Sequence, residues 1–190
     1  MDDYEFFVNK VIAFHGHVCT GVVLGTRMSL AAMRYLGLDP HQQNRNVIAY
    51  AEIDRCMTDA VMVVTGCSLG RRTLKHVDYG KFAVTLINQN TGRAVRAIVK
   101  EDFSRKDSMD ETIRLITSIP DERLITLQPV RVNISEYDLP GFPQRTAVCT
   151  ICGEQVMDGR DIIRNGVTLC RGCAGGNYYK LTGEGIDAEK

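Results

Sequence analysis

Two imidazoles and a thiol lie within five residues near the start of the chain, at His15, His17 and Cys19. The whole sequence has only four histidines and seven cysteines. Gly16, between the two histidines, would let the backbone turn and bring the three side chains to one point. Imidazole and thiolate are ligands that zinc and related transition metals prefer. The segment is therefore a candidate metal site.

This cluster lies between two apolar-periodic stretches, 6–14 and 22–36, which predict two helices joined at the cluster. Cys19 would then stand at or just before the start of the second helix. Free N–H groups and the helix dipole at that end favour a thiolate over a thiol. Because a thiolate is also a nucleophile, a thiol or redox enzyme that uses Cys19, activated by His17, is an alternative to a metal site.

The most specific pattern is a pair of Cys-x-x-Cys sequences, Cys149 with Cys152 and, seventeen residues further on, Cys170 with Cys173. Four thiolates at this spacing hold one tetrahedral zinc in structural sites. The segment around them has few large apolar side chains and needs such a metal to fold. The pattern predicts a zinc finger with a structural zinc.

Turn-forming residues separate this finger from the rest of the chain. Residues 137–145 contain two of the five prolines and a Pro-Gly pair, which interrupt regular structure. We therefore predict a core domain over residues 1–136, a linker over 137–145 and the zinc-finger domain over 146–190.

The core is predicted to be an α+β fold, in which helices accompany an antiparallel sheet. Further helices are indicated at residues 60–64 and 108–119, the second with a Ser-x-x-Glu capping box at its start. A Gln-Asn-Thr-Gly sequence at 89–92 predicts a hairpin turn. The predicted strands are 47–53, 81–87, 93–99 and 130–134.

Composition restricts the class of protein. The chain has 190 residues, enough for one ordinary domain and a small module. Lys and Arg together number 23, as do Asp and Glu, so net charge favours no partner. The acidic start predicts no signal peptide, and no apolar run approaches the roughly 18 residues of a membrane span. We expect a cytoplasmic protein without membrane contact, in which thiols indicate metal binding or catalysis more often than disulfides.

Two more cysteines, Cys56 and Cys67, flank the helix predicted at residues 60–64. The ends of strands and the loops behind them commonly supply site residues, because a rigid element aims them. A lone cysteine is about as often a small buried hydrophobic residue. The sequence therefore leaves open which of the two would complete a site with His17 and Cys19.

Several motifs occur in a fixed order along the chain. They are Phe-His-Gly-His-x-Cys-x-Gly-x-x-x-Gly-x-Arg at 14–27, Asp-Ala at 59–60, Thr-Gly-Cys-Ser-x-Gly at 65–70, Asp-Tyr-Gly-Lys at 78–81 and the four finger cysteines. Over nearly the whole chain they resemble the FmdE family, which takes its name from a subunit of formylmethanofuran dehydrogenase. The resemblance implies an α+β core with a metal-binding active site, a zinc finger, intertwined dimers and the subunits of a molybdenum or tungsten enzyme as partners. By position it points to His15, His17, Cys19, Cys56, Asp59 and Cys67.

The leading functional hypothesis is a metal-binding protein that is accessory to a molybdenum or tungsten enzyme, or to metal and cofactor metabolism. Its core would bind a second transition metal, with zinc as the first choice, and keep one coordination position open. His15 and Asp59 would orient a ligand or carry a proton, beside Cys19 as the third catalytic residue. The expected core ligands are His17, Cys19 and either Cys56 or Cys67.

A second copy of the chain is the expected partner. A small module after a Pro/Gly hinge can be exchanged with a neighbour at low cost, which would place Tyr178 or Tyr179 near the partner's metal site. Gly21 and Gly25 form a close-packing stripe, which a second chain or a helix of the same chain could fill. A finger that contacts nucleic acid is the least favoured hypothesis, because six basic residues are balanced by six acidic ones from Arg145 onward.

Overall fold

The computed structural model describes residues 2–42, 46–100 and 108–183. The chain divides into two compact units, Met1–Asn133 and Ile134–Lys190. The segment 137–145, predicted as a linker, belongs to the second unit. Positions 184–190 of the predicted finger lie outside the described residues. No helix in the described ranges is both long and apolar enough to cross a membrane.

The first unit opens with two helices, α1 (Asp3–His15) and α2 (Thr20–Tyr35), as the sequence predicted. Helix α1 ends at Gly16, whose φ of 93° lies in the left-handed region that glycine adopts without strain. The extended backbone of Cys19 then forms the N-cap of α2. The turn between the helices therefore contains the whole histidine and cysteine cluster.

A third helix, α3 (Cys56–Thr65), packs beside α2 and runs in the same direction. Gly21 of α2 meets Cys56, and Gly25, one turn later, meets Ala60. A Cβ atom on Gly25 would lie only 2.9 Å from the Ala60 Cβ atom. The stripe of small residues is thus filled by a helix of the same chain, which was one of the two alternatives.

The helices pack on a five-stranded sheet with the order β2-β1-β3-β4-β5. All neighbouring strands are antiparallel except β1 and β2, and the predicted hairpin is β3–β4. The α+β fold is confirmed, although the short parallel strand β2 was not predicted. The strands are β1 (Val47–Ala51), β2 (Leu74–His76), β3 (Ala83–Asn88), β4 (Ala94–Val99) and β5 (Ile125–Val130).

The last strand lies earlier than the predicted strand at 130–134. Strand β5 contains Pro129, which pairs with Val95 of β4. Proline lacks an N–H group and is normally excluded from strand interiors. Because β5 is at the edge of the sheet, one side of its backbone needs no partner, and proline is tolerated there.

Two helices, α4 (Met109–Ser118) and α5 (Asp121–Leu124), lie between β4 and β5. The predicted cap of α4 is present, since the Ser108 hydroxyl accepts the Glu111 N–H at 3.1 Å. Arg27 of α2 holds this region in place, because its guanidinium donates to the Ile116 carbonyl oxygen at 2.5 Å and to the Asp121 carboxylate at 2.7 Å.

A partly buried ion pair joins strand β4 to the residue that follows β1. The Arg96 guanidinium donates to both carboxylate oxygens of Glu52, at 2.6 and 2.8 Å. These hydrogen bonds lower the pKa of the Glu52 carboxyl from its ordinary value. Glu52 is 7% exposed, so removal of its partner would leave a carboxylate with little access to water.

The second unit is built from two short hairpins and a helical turn. It begins with a 3₁₀ turn at Glu136–Asp138. The Arg145 guanidinium pairs with the Asp161 carboxylate at 2.5 Å, which ties the segment before the finger to a finger loop. The elements are β6 (Thr146–Val148), β7 (Gln155–Met157), β8 (Ile162–Arg164), β9 (Val167–Leu169) and α6 (Arg171–Gly175).

Candidate metal centres

The four finger cysteines converge in the second unit. The Sγ atoms of Cys149, Cys152, Cys170 and Cys173 all lie within 4.8 Å of one another. The first pair follows β6, and the second pair opens α6, where Cys170 is the N-cap. Four sulfur atoms that converge in this way match the donor set of a structural zinc.

The hydrogen bonds of the finger favour one thiolate over the others. Backbone N–H groups of Cys152 and Cys170 lower the pKa of the Cys149 thiol to about 6. The pKa of Cys173 is raised to about 12, first by its side-chain hydrogen bond with Cys170. Four thiols so close together cannot all ionise unaided, whereas a bound divalent cation would stabilise all four thiolates.

A second group of metal-capable atoms lies in the first unit. The ligand atoms of His15, His17 and Cys19 are also within 4.8 Å of one another. The two imidazole centroids are 4.5 Å apart. Cys19 is only 7% exposed, whereas His17 lies at the surface. The group is therefore anchored in the core at Cys19 and accessible from solvent beside His17.

A carboxylate from another helix fixes one of these histidines. The Nδ1 atom of His15 lies 2.7 Å from Oδ2 of Asp59, in the first turn of α3. An ionised carboxylate accepts the Nδ1 proton, which leaves a free lone pair on Nε2. That Nε2 atom is buried and finds no hydrogen-bond partner among the described residues.

The orphaned nitrogen indicates what the site can hold. A buried polar atom left without a partner costs about 1–3 kcal/mol. Metal-bound histidines commonly donate their other N–H to a carboxylate, as His15 does to Asp59. The two imidazoles and the thiol thus fit a transition metal, and Asp59 is placed to orient a ligand.

The two remaining cysteines lie in different surroundings. Cys56, the first residue of α3, adjoins Cys19, and burial together with a hydrogen bond to Cys19 raises the pKa of its thiol. The Cys67 thiol instead donates to the Val47 carbonyl oxygen at 3.4 Å and is 2% exposed. Burial raises the pKa of Cys67 as well.

The geometry therefore differs from the expected ligand set. The expectation was that Cys56 or Cys67 would join His17 and Cys19, with His15 in a supporting role. The described structure groups His15 with them instead, leaves Cys56 adjacent and keeps Cys67 in the core. The sequence signal for His15 was its place in the dense cluster, but its carboxylate partner lies 44 residues away.

Two surface cavities lie along α2, away from this group. Their volumes are about 330 and 260 Å³, and Arg34 and Asp121 line both. Their walls contain none of the histidines or cysteines of the core site. Neither cavity therefore coincides with the group of His15, His17 and Cys19.

Comparison with known families accounts for both units. Residues 14–126 match the family described as FmdE, molybdenum formylmethanofuran dehydrogenase operon. Residues 144–179 match the prokaryotic DksA/TraR C4-type zinc finger. Because the first match covers more than half of the chain, the protein belongs to the FmdE family, and the resemblance stated above is confirmed.

Two relatives extend the comparison. Over 208 aligned positions the chain is 31% identical to a probable S-adenosyl-L-methionine-binding protein of Archaeoglobus fulgidus, covering 91% of this chain and 53% of that protein. The chain thus spans about half the length of this curated relative. It also resembles the crystal structure of a tungsten formylmethanofuran dehydrogenase FmdE-like protein from Syntrophus aciditrophicus. The TM-score is 0.58 at 25% identity, with 93% of this chain and 95% of the other covered. Family, finger and cysteine clusters together support a metal-binding protein.

Proposed function

We propose that this FmdE-family protein binds a transition metal, with zinc as the first choice, through His15, His17 and Cys19. The observation that carries the proposal is the buried Nε2 atom of His15, which lacks a partner in the described structure while Asp59 occupies Nδ1. A second, structural zinc is proposed at the four finger cysteines.

The proposed core site has three protein ligands, a pattern typical of catalytic zinc, where a fourth position stays open. A metal held there would act as a Lewis acid for an oxygen or sulfur ligand. Asp59 keeps the His15 lone pair directed at the site, and exposed His17 leaves one side accessible to a substrate or a metal donor. Cys19, the N-cap residue of α2, supplies the buried sulfur ligand of the set.

We further propose that the protein is accessory to a molybdenum or tungsten enzyme. The family description and the Syntrophus relative both refer to formylmethanofuran dehydrogenase. Four of the seven cysteines converge in the finger, and Cys19, Cys56 and Cys67 are spread along the core. None of them follows the closely spaced pattern of a four-iron cluster, so electron transfer would belong to other subunits.

A homodimer, with exchange of the second unit, is proposed for the assembly. The second unit carries strongly exposed apolar side chains, among them Phe142 at 92%, Tyr178 at 100% and Leu181 at 84%. The Tyr178 ring packs against the Tyr179 ring with centroids 5.1 Å apart, and exposed apolar patches are typical of interaction surfaces. Light scattering of the full chain should give about twice its 21.2 kDa mass. Replacement of Tyr178 and Leu181 by serine should shift the measured mass toward that of the monomer. A monomer mass for the unmodified protein would refute the proposal.

Metal content per chain tests the core site. The unmodified protein should contain two metal ions per chain, and Cys19→Ser should contain one. Cys67→Ala is the matched control, because it removes a core thiol outside the ligand group and should retain two. If Cys19→Ser keeps both ions, the core site does not exist as proposed.

The alternative, a thiol or redox enzyme, predicts different chemistry at the same residue. Cys19 would then react rapidly with iodoacetamide in protein that carries only the finger zinc. Added zinc would leave that reaction unchanged, since no metal would compete for the thiolate. Protection of Cys19 by one equivalent of zinc favours the metal site.

A further inference from the structure

Two thiols lie side by side where the parallel helices α2 and α3 begin. Cys19 caps α2 and Cys56 is the first residue of α3. Gly21 stands beside them. A Cβ atom on Gly21 would lie 2.9 Å from the Cys56 Cβ and 3.7 Å from the Cys19 Sγ. The absence of a side chain at Gly21 leaves the two cysteines free to approach each other.

This pair is separate from the other thiols of the chain. Cys67 is buried, and its thiol donates a hydrogen bond to the Val47 carbonyl oxygen. The finger cysteines form their own group in the second unit. Cys56 is partly exposed and the site is open beside His17, so a small oxidant can reach the pair.

We infer that Cys19 and Cys56 are a dithiol–disulfide pair that controls release of the core metal. The inference rests on the proposed function, because Cys19 is a proposed ligand. Oxidation converts Cys19 from an anionic thiolate to a neutral disulfide sulfur, which is a poor ligand, and leaves only His15 and His17. The metal affinity should fall by more than the roughly 10- to 100-fold that the loss of an outer hydrogen-bond partner costs.

A peroxide supplies the oxidising equivalents. The Cys19 thiolate attacks one peroxide oxygen, the O–O bond breaks, and Cys19 becomes a sulfenic acid while hydroxide leaves. The Cys56 thiol then attacks the sulfenic sulfur, the S–S bond forms, and its proton leaves with the sulfenic oxygen as water. Two sulfur atoms together lose two electrons, and one peroxide is reduced. A dithiol reductant reverses the change by exchange.

The test uses the full chain loaded with zinc and treated with one equivalent of hydrogen peroxide. Zinc release is followed with a chromophoric chelator, and peptide mapping locates the oxidised cysteines. We expect one zinc released per chain, a Cys19–Cys56 disulfide in most chains, and recovery of zinc binding after dithiothreitol. With Cys56→Ser, the initial zinc content should be unchanged, the disulfide absent, and Cys19 should instead be trapped as a dimedone adduct.

Controls separate the possible failures. Cys67→Ala should behave as the unmodified protein, and Cys56→Ala checks that serine itself does not disturb the fold. If the unmodified protein releases the core zinc without forming the Cys19–Cys56 disulfide, or if finger disulfides form first, the inference is wrong. If the unmodified protein binds only the finger zinc, the proposed function fails, whether or not the disulfide forms.

Discussion

Replacement of Asp59 by alanine is expected to weaken the core metal site while the chain stays folded. The change removes the carboxylate that lies 2.7 Å from His15 Nδ1. Loss of such a partner costs roughly 10- to 100-fold in metal affinity, or about 1.4–2.7 kcal/mol. The His15 side chain is 14% exposed and that of Asp59 36%. Water can therefore partly replace the carboxylate, and we expect the lower half of the range, about 10- to 30-fold.

The fold itself should change little in this variant. Asp59 lies in the first turn of α3, where a negative charge interacts with the helix dipole by about 0.3–1 kcal/mol. Asp54→Ala is the matched control, because Asp54 is an exposed carboxylate just before the same helix and carries the same charge. It does not occupy the His15 Nδ1 position, which Asp59 holds.

The assay is a zinc titration of the full chain in competition with a chromophoric chelator, with the finger zinc kept saturated. The dissociation constant of the core site is compared among the unmodified protein, Asp59→Ala and Asp54→Ala. Circular dichroism during heating checks that the variants are folded. Equal affinities in the two variants would refute the role given to Asp59. A loss as large as that of Cys19→Ser would make Asp59 a ligand rather than an orienting group.

Three further predictions concern the finger, the helix contact and the sheet. Cys170→Ser should remove one zinc per chain and unfold the second unit alone, which zinc analysis and amide hydrogen exchange would detect; exchange spread over both units would contradict it. Gly25→Ala should cost about 1–3 kcal/mol in chemical denaturation, because its Cβ would lie 2.9 Å from Ala60, whereas Gly70→Ala, with open space around it in the described structure, should cost far less. Glu52→Gln should flatten the pH dependence of the unfolding free energy. The lowered Glu52 pKa contributes stability above the ordinary value of 4.5 that is lost as pH falls through the folded pKa. Parallel curves for variant and unmodified protein would refute this role.

Local signals in the sequence were sufficient for the helix junction and the finger. Apolar periodicity defined α1 and α2, and Gly16 marked the turn between them. The finger followed from cysteine spacing, because a tetrahedral metal dictates that spacing. Non-local structure was harder to predict. Strand β2 has three residues and pairs in parallel with β1, and the proline in β5 is acceptable only because that strand is at an edge.

The choice between Cys56 and Cys67 depended on the direction of one helix. Cys56 begins α3 and Cys67 follows its end, and the helix has ten residues and so is about 15 Å long. Only one of the two cysteines could therefore reach a site shared with Cys19. The sequence prediction had accordingly named Cys56 or Cys67, and not both, as a ligand. Because α3 runs parallel to α2, its first residue lies beside the Cys19 cap, and Cys67 is carried to the far end. The glycines at positions 21 and 25 permit that contact, but their partner helix and its direction are tertiary facts that the local sequence does not contain.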